Sequence, residues 1–217
     1  MKTSIKLCGF KNIDDIIFAT SLDINYLGMI FVENLPRSID IDTAIQATTI
    51  CKEKNIKSVG VFLNQNTDTV DKILSKVDLD VLQLHGTEDI TDYRIFKKDI
   101  IKTLHVSKDS VFTSKNLDFE NTDFLLDASS KNLQGGSGKC FDWNILNDVP
   151  VEKLFIAGGL KPDNILDLLS KYTPKCVDVS SGIENKIGHK DHNLMSDFVD
   201  KILSLIHISE PTRRLNI

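Results

Sequence analysis

The chain has 217 residues, of which 41% are hydrophobic and 26% charged, and 26 Lys plus Arg against 31 Asp plus Glu leave a formal charge of −5. Those proportions support a buried core and argue against disorder, and the dispersed basic residues form no stripe for a nucleic-acid backbone. No apolar run approaches the roughly 18 residues of a membrane span, the first residues carry no secretory signal, and Cys8, Cys51, Cys140 and Cys176 show no CxxC spacing, so the expectation is a cytoplasmic protein with reduced thiols, no metal site, no membrane and no nucleic acid.

In chain order, short runs rich in Val, Ile, Leu and Phe alternate with segments of helical spacing. Ser4–Cys8 reads as the first strand and leads to a helix over Ile13–Leu22 capped by Asn12. Tyr26–Val32 leads to Ile41–Lys54, capped by Asp40, and Ser58–Leu63 to Thr69–Val77, with Thr67 and Asp68 in cap positions. Val81–His85 precedes Ile90–Lys97, Ile100–His105 precedes a weak helix over Ser110–Leu117, and Asp123–Asp127 another over Phe141–Leu146. Lys153–Ala157 precedes Pro162–Lys171, with Pro162 in the first turn, and Cys176–Ser180 precedes Asp191–Leu205. Continuous apolar strands separated by helices predict a parallel sheet buried on both faces. Eight such units favour a single-domain (β/α)8 TIM barrel over residues 1–206, although the open doubly wound sheet shares this periodicity. From about His207 the helical pattern is lost, and 207–217 reads as a disordered or non-native tail.

A barrel of this kind carries its active site at the C-terminal ends of its strands. Cys8-Gly9 stand at the end of strand one, Glu33, Pro36 and Arg37 follow strand two, Gln83 and His85 close strand four, and Asp127 closes strand six. Gly158-Gly159 follow strand seven, and Asp178, Ser180, Ser181 and Gly182 end strand eight. Glycines let backbone N–H groups approach an anion and serines add donors, so these two loops read as a phosphate site. Tight turns account for either pair of glycines about as well, but both loops together favour phosphate. The stretch Gly135-Gly136-Ser137-Gly138-Lys139-Cys140 is not a Walker loop, since Leu133 stands where its first Gly belongs and Cys140 replaces Ser or Thr. It reads instead as a mobile lid beside Asp127. By residue type alone, Cys8 would be a small buried hydrophobe, Asp127 a capping or salt-bridged carboxylate and Arg37 a surface charge.

Eight stretches, KLCGF, YLGMIFVENLPR, VGVFLN, LQLHG, LLDASS, GGSGKCFDW, AGGLKPDN and VDVSSGIENKIGHKD, occur in an order and at a spacing that resemble the phosphoribosylanthranilate isomerase family, from about Ile5 to Leu205. The resemblance implies a (β/α)8 barrel that opens the ribose ring of N-(5-phosphoribosyl)anthranilate and rearranges it to the 1-deoxyribulose, with no metal and no organic cofactor. It makes Cys8 the general base, Asp127 the general acid and Arg37 the ligand of the anthranilate carboxylate. Such chemistry needs an acid to protonate the ring oxygen as the C–O bond breaks and a base to remove the C2′ proton from the resulting Schiff base. Cys8 serves only as thiolate, so the site must supply a favourable field, from a neighbour such as Lys6 or from a cationic substrate. Asp127 must hold a proton. Gln83, His85, Gly136, Gly158, Gly159, Asp178, Ser180, Ser181 and Gly182 complete the expected substrate contacts. For His85 a hydrogen bond to barrel backbone is at least as good a reading, and Asp178 is given no proton-transfer role. Phe10, Asn34-Leu35, Ser137 and Cys140 depart from the commoner family pattern, and none of them removes an acid, a base or a phosphate donor. The expected partner is a small phosphorylated substrate, and the chain is expected to be a monomer or a homodimer. Two rivals stand beside this reading. The histidine-pathway isomerase uses a carboxylate base where Cys8 stands, and a phosphosugar-binding module without turnover would have no use for Cys8 together with Asp127.

Overall fold

A computed structural model describes residues 2–106, 117–127 and 143–208. Its strands are β1 (Ser4–Phe10), β2 (Tyr26–Ile30), β3 (Lys57–Phe62), β4 (Val81–Leu84), β5 (Asp99–His105), β6 (Asp123–Asp127), β7 (Leu154–Ala157) and β8 (Cys176–Val179). Each pairs in parallel with the next, and β1 pairs with β8 in the register Ser4↔Cys176 to Leu7↔Val179, which closes the ring. That last pairing decides for the barrel and against the open sheet. The helices are α1 (Ile13–Ala19), α2 (Ile41–Glu53), α3 (Thr67–Leu74), α4 (Ile90–Tyr93), α5 (Ile165–Leu169) and α6 (His192–Ile208). A short antiparallel hairpin, β9 (Glu184–Lys186) with β10 (His189–Lys190), follows β8 and was not expected from the sequence. Among the described residues, no helix is long and apolar enough to cross a membrane.

The alternation of side chains along each strand divides the core in two. Leu7, Leu27, Phe62, Leu84, Leu126, Ile156 and Val179 face outward and pack under the helices. Tyr26, Val59, Val81, Ile101, Leu125, Phe155 and Cys176 fill the lower interior of the barrel. Burying one such Leu or Phe contributes about 1.5–3 kcal/mol, so the ring is a packed solid and not a pore. Polar residues take over the inward positions toward the C-terminal ends, and there the core gives way to a site.

Helix ends follow their caps. Asn12 accepts from the Asp15 N–H and Asp40 from the Thr43 N–H, as expected. The third helix starts earlier than its apolar spacing suggests. Asn66 accepts from the Thr69 N–H and is the cap, while Thr67 and Asp68 lie inside the helix. Pro162 does not occupy the first turn of α5, which opens at Ile165 after Asn164 has closed a turn by accepting from the Lys161 N–H. The segment expected as Ile90–Lys97 is one α-turn followed by a 3-10 turn, and it stops where Lys97 takes a φ of 52°. The weak helix around Phe141–Leu146 is a 3-10 turn over Trp143–Asp148. The expected helix over 110–117 lies outside the described residues, except for Leu117. α6 continues to Ile208, just past the point where its pattern fades, and 209–217 lie outside the described residues.

Candidate active site

Strand parity builds the mouth of the barrel. On β1, Lys6 and Cys8 share the inward face, and Asp178 on β8 is the register partner of Lys6. The Lys6 Nζ lies 2.7 Å from Asp178 Oδ2, and the ammonium group is wholly buried. Burial alone would drive Lys6 toward neutrality, but the charges of Asp178 and Cys8 outweigh it and hold the lysine protonated, with its pKa raised. Burial likewise pushes the Cys8 thiol up. Lys6 pulls it down and Asp178 pushes it up again, so the thiol ends above its ordinary value. The lysine field that a thiolate requires is therefore present, but in the free protein it is outweighed by desolvation.

Gly28 makes room for this thiol, and Gly9 for side chains that surround it at the mouth. Gly28 is the register partner of Cys8, and a Cβ built there would stand 2.4 Å from Sγ. Gly9, at φ +80°, lies so close to Ser180 that a Cβ would come within 2.8 Å of its Oγ and 3.0 Å of the Arg37 Cδ.

Arg37 is buried and is not a surface charge. Its Nε and Nη2 donate to the two carboxylate oxygens of Glu184 on β9, each at 2.8 Å. The Nη1 edge of the guanidinium has no hydrogen-bond partner among the described residues, which leaves two N–H donors for another planar anion. Lys190 on β10 completes the arrangement. Its Nζ donates to Glu184 Oε1 at 2.9 Å and to the Ser180 carbonyl at 3.0 Å, and it sits 5.3 Å from the centre of the Phe10 ring. Burial would raise the Glu184 carboxyl, but Arg37 and Lys190 together carry it below the ordinary range. Sequence reasoning did not single out Glu184 or Lys190. Both lie in the charged, non-helical stretch after strand eight, and the hairpin turn at Gly188, with φ 74°, is what folds them back onto Arg37.

Across the mouth, Gln83 and His85 follow the inward face of β4, Thr103 and His105 that of β5, and Asp127 ends β6 in register with His105. The Gln83 Nε2 donates to Thr103 Oγ1 at 3.3 Å and lies 3.5 Å from His85 Nδ1. Among the described residues, the ring of His85 makes no hydrogen bond to barrel backbone. Its Nε2 lies 3.7 Å from Asp127 Oδ2, and burial, opposed by the Asp127 charge, pulls its pKa down to about 4, so it is neutral near pH 7. The His105 Nε2 is 2.8 Å from the His85 carbonyl oxygen. Sequence reasoning passed over His105, although its parity with Thr103 marks it as inward-facing. Buried polar atoms at this mouth with no partner among the described residues include Gln83 Oε1, His105 Nδ1 and Asp178 Oδ1. Such groups are costly unless a ligand or water meets them.

The loops after β7 and β8 pack against each other. Gly158 and Gly159 hold φ 88° and 69°, which favour glycine. Gly182 approaches the neighbouring loop so closely that a Cβ would fall 1.9 Å from the Leu160 carbonyl oxygen. Ser181 and Gly182 open a 3-10 turn after Ser180, and the Asn164 side chain braces the opposite loop by donating to the Gly159 carbonyl at 2.9 Å. The expected substrate contact Gly136, and the glycine-rich stretch around it, lie outside the described residues.

The model of the N-(5′-phosphoribosyl)anthranilate (PRA) isomerase family matches residues 5–201. The chain belongs to this family. The PRA isomerase of Caldanaerobacter subterraneus subsp. tengcongensis is 35% identical over 206 residues, which span 93% of this chain and 98% of that protein. A crystal structure of the PRA isomerase from Thermotoga maritima superposes with a TM-score of 0.80 at 30% identity, covering 93% of this chain and 99% of the other. Another PRA isomerase, solved in complex with reduced 1-(o-carboxyphenylamino)-1-deoxyribulose 5-phosphate, gives a TM-score of 0.77 at 27% identity, again covering 93% of this chain and 99% of the other.

Proposed function

We propose that this chain converts N-(5-phosphoribosyl)anthranilate to 1-(2-carboxyphenylamino)-1-deoxyribulose 5-phosphate in tryptophan biosynthesis, by an Amadori rearrangement with Cys8 as general base and Asp127 as general acid. The observation that carries the reading is the pair itself: a thiol and a carboxylic acid at the inward, C-terminal ends of β1 and β6, in a barrel of the PRA isomerase family. Three strand steps around the ring set them on different sides of a bound ribose.

In this mechanism Asp127 gives its proton to the furanose ring oxygen as the C1′–O bond breaks, and a cationic Schiff base forms. Cys8 then takes the C2′ proton, and the electron pair of that C–H bond neutralises the iminium to give an enolamine, which tautomerises to the ketone. The cationic intermediate supplies what desolvation withholds. Positive charge beside Sγ joins the Lys6 ammonium in favouring thiolate at the moment when the base is needed. Lys6 and Asp178 hold that field in place, and Gly28 leaves Sγ the room to use it. At one end of the substrate, the phosphate is received by Gly158, Gly159, Ser180, Ser181 and Gly182. At the other, the anthranilate carboxylate takes the Nη1 edge of Arg37, whose plane is fixed by Glu184. Gln83 and His85 line the ribose between them, Asp178 borders it from β8, and Gly136 is a further proposed contact. The catalytic unit comprises residues 1–206, with 207–217 an appended tail. It works in the cytoplasm as a monomer or homodimer, on a small substrate, without metal or organic cofactor.

The test is the disappearance of PRA fluorescence with purified wild type, Cys8→Ala and Asp127→Ala, each shown to be folded by circular dichroism. Wild type is expected to turn over, and each substitution to slow it by about a hundredfold or more. A folded wild-type chain that leaves the fluorescence unchanged would return the barrel to the class of phosphosugar binders.

A further inference from the structure

The mouth holds a second constellation, which shares Asp127 with the acid–base pair and brings in His105. His85, His105 and Asp127 each offer one ligand atom, and the three atoms lie within 4.8 Å of one another. The His85 Nε2 and Asp127 Oδ2 are 3.7 Å apart, close to the edge of about 3.4 Å that bonds of about 2.0–2.1 Å make in a tetrahedron. The environment of His105 is what a metal-ligating histidine has. Its Nε2 faces the His85 carbonyl oxygen at 2.8 Å, and because a carbonyl only accepts, that nitrogen carries the hydrogen. In the tautomer that places the hydrogen on Nε2, the lone pair lies on Nδ1, which is buried without a partner among the described residues. A histidine fixed in tautomer and orientation by an N–H to a backbone carbonyl, with its other nitrogen unengaged, is the outer-shell arrangement found around bound transition metals. The Gln83 side-chain amide lies 3.5 Å from His85 Nδ1, on the side of the ring away from the Nε2 that faces Asp127.

We propose that His85, His105 and Asp127 form a binding site for a zinc-class divalent cation, with the fourth position open to water, and that this cation acts as a reversible inhibitor and not as a cofactor. Two imidazoles and a carboxylate are a donor set suited to Zn²⁺ and Co²⁺ and poorly suited to Mg²⁺ or Ca²⁺. The inhibition rests on the isomerase reading. A cation on Asp127 occupies the oxygen that must deliver a proton to the ribose ring, so substrate turnover and metal binding exclude each other. The binding itself stands apart from that reading and is measured without substrate.

The experiment titrates chelator-stripped protein with Co²⁺ alone, and then with Zn²⁺ in competition. Wild type is expected to bind one equivalent of Co²⁺ with the intense visible absorption of a tetrahedral or five-coordinate ion and without a near-ultraviolet thiolate-to-metal band, and Zn²⁺ is expected to displace it. His105→Gln, whose side chain preserves shape but loses the ring nitrogen, is expected to weaken binding at least tenfold, and Asp127→Asn to do the same from the opposite strand, with thermal melts confirming that both variants are folded. Three results would overturn the site: no stoichiometric Co²⁺ in wild type, a thiolate band that puts the ion on Cys8, or equal affinity in His105→Gln. Because the wild-type spectrum alone decides the first two, the proposal is testable even if a variant fails to fold.

Discussion

Cys8 lies between a lysine that favours its charged form and a burial that forbids it. In the free protein burial prevails and the thiol is raised, so only a minority is thiolate near neutrality, and alkylation of Cys8 by iodoacetamide, followed by mass spectrometry, is expected to speed up close to tenfold per pH unit between about pH 7 and about pH 8.5. A rate that is flat over that interval would mean that the Lys6 field, and not burial, sets the state of the thiol. The steric side of the same site is equally specific. With a Cβ only 2.4 Å from Sγ, Gly28→Ala must displace the thiol by about an ångström, and a loss of about a hundredfold in kcat with an unchanged circular dichroism spectrum is the expected result. Retention of full kcat would show that the position of Sγ is not critical. Resemblance pointed to the pair at this scale, since by residue type alone Cys8 reads as a small buried hydrophobe and Asp127 as a capping carboxylate, and only KLCGF and LLDASS in series with the other stretches suggested their roles. Gly28 could not be read that way. Its importance comes from the side chain opposite it, and a strand residue's cross-strand partner is fixed by register, which is set by the whole ring.

Among the elements, the hairpin β9–β10 has the largest effect relative to its size. It contributes Glu184, which holds Arg37 through two hydrogen bonds, and Lys190, which is itself buried against Ser180 and Phe10. Glu184→Gln leaves both cations without a countercharge. Breaking a buried pair in this way costs about 3–5 kcal/mol, which corresponds to a fall in Tm of roughly 2–4 °C for each kcal/mol in a chain of this length. The KM for PRA is expected to rise as Arg37 loses its orientation, more than kcat falls. An unchanged Tm together with an unchanged KM would mean that the hairpin is not a support for the site. Nothing in the local sequence announces this element. Its strands are of three and two residues, too short for an alternating pattern, and it exists because Gly188 turns the chain and the charges meet. The eight barrel strands were legible because each is a run of apolar residues buried on both faces, and their ends moved by only one or two positions. Helix starts were legible where the cap preceded the apolar face directly, as at Asn12 and Asp40, and were misplaced at Asn66 and Pro162 because neighbouring Thr, Asp and Pro compete for the same position. His105 was missed for a different reason. A histidine at a strand end has no motif around it, and only its register opposite Asp127 gives it significance.

At the level of the whole molecule, the barrel is held by a ring of packed strands, but its mouth carries acid-sensitive groups. The His85 ring has a pKa of about 4 in the folded chain against an ordinary 6.5. The unfolded state therefore binds a proton that the folded state refuses as pH falls through that window, and stability present above about pH 6.5 is lost on the way down to about pH 4. The full contribution is on the order of 3 kcal/mol. Chemical denaturation of wild type and His85→Gln at about pH 7 and about pH 4.5 should show the variant losing less stability on acidification, and parallel losses would assign the acid sensitivity elsewhere. The ring also has a consequence in time. Lys6 and its partner Asp178 are 172 positions apart in the chain, so while the polypeptide emerges from the ribosome the first strand has one unpaired edge and a lysine without its counter-ion until almost the last strand has been made. Closure, the catalytic field and the protection of that edge must then arrive in a single late event. A nascent chain stopped short of β8 carries Cys8 with no working enzyme around it, and a sheet edge ready to pair with whatever lies nearest.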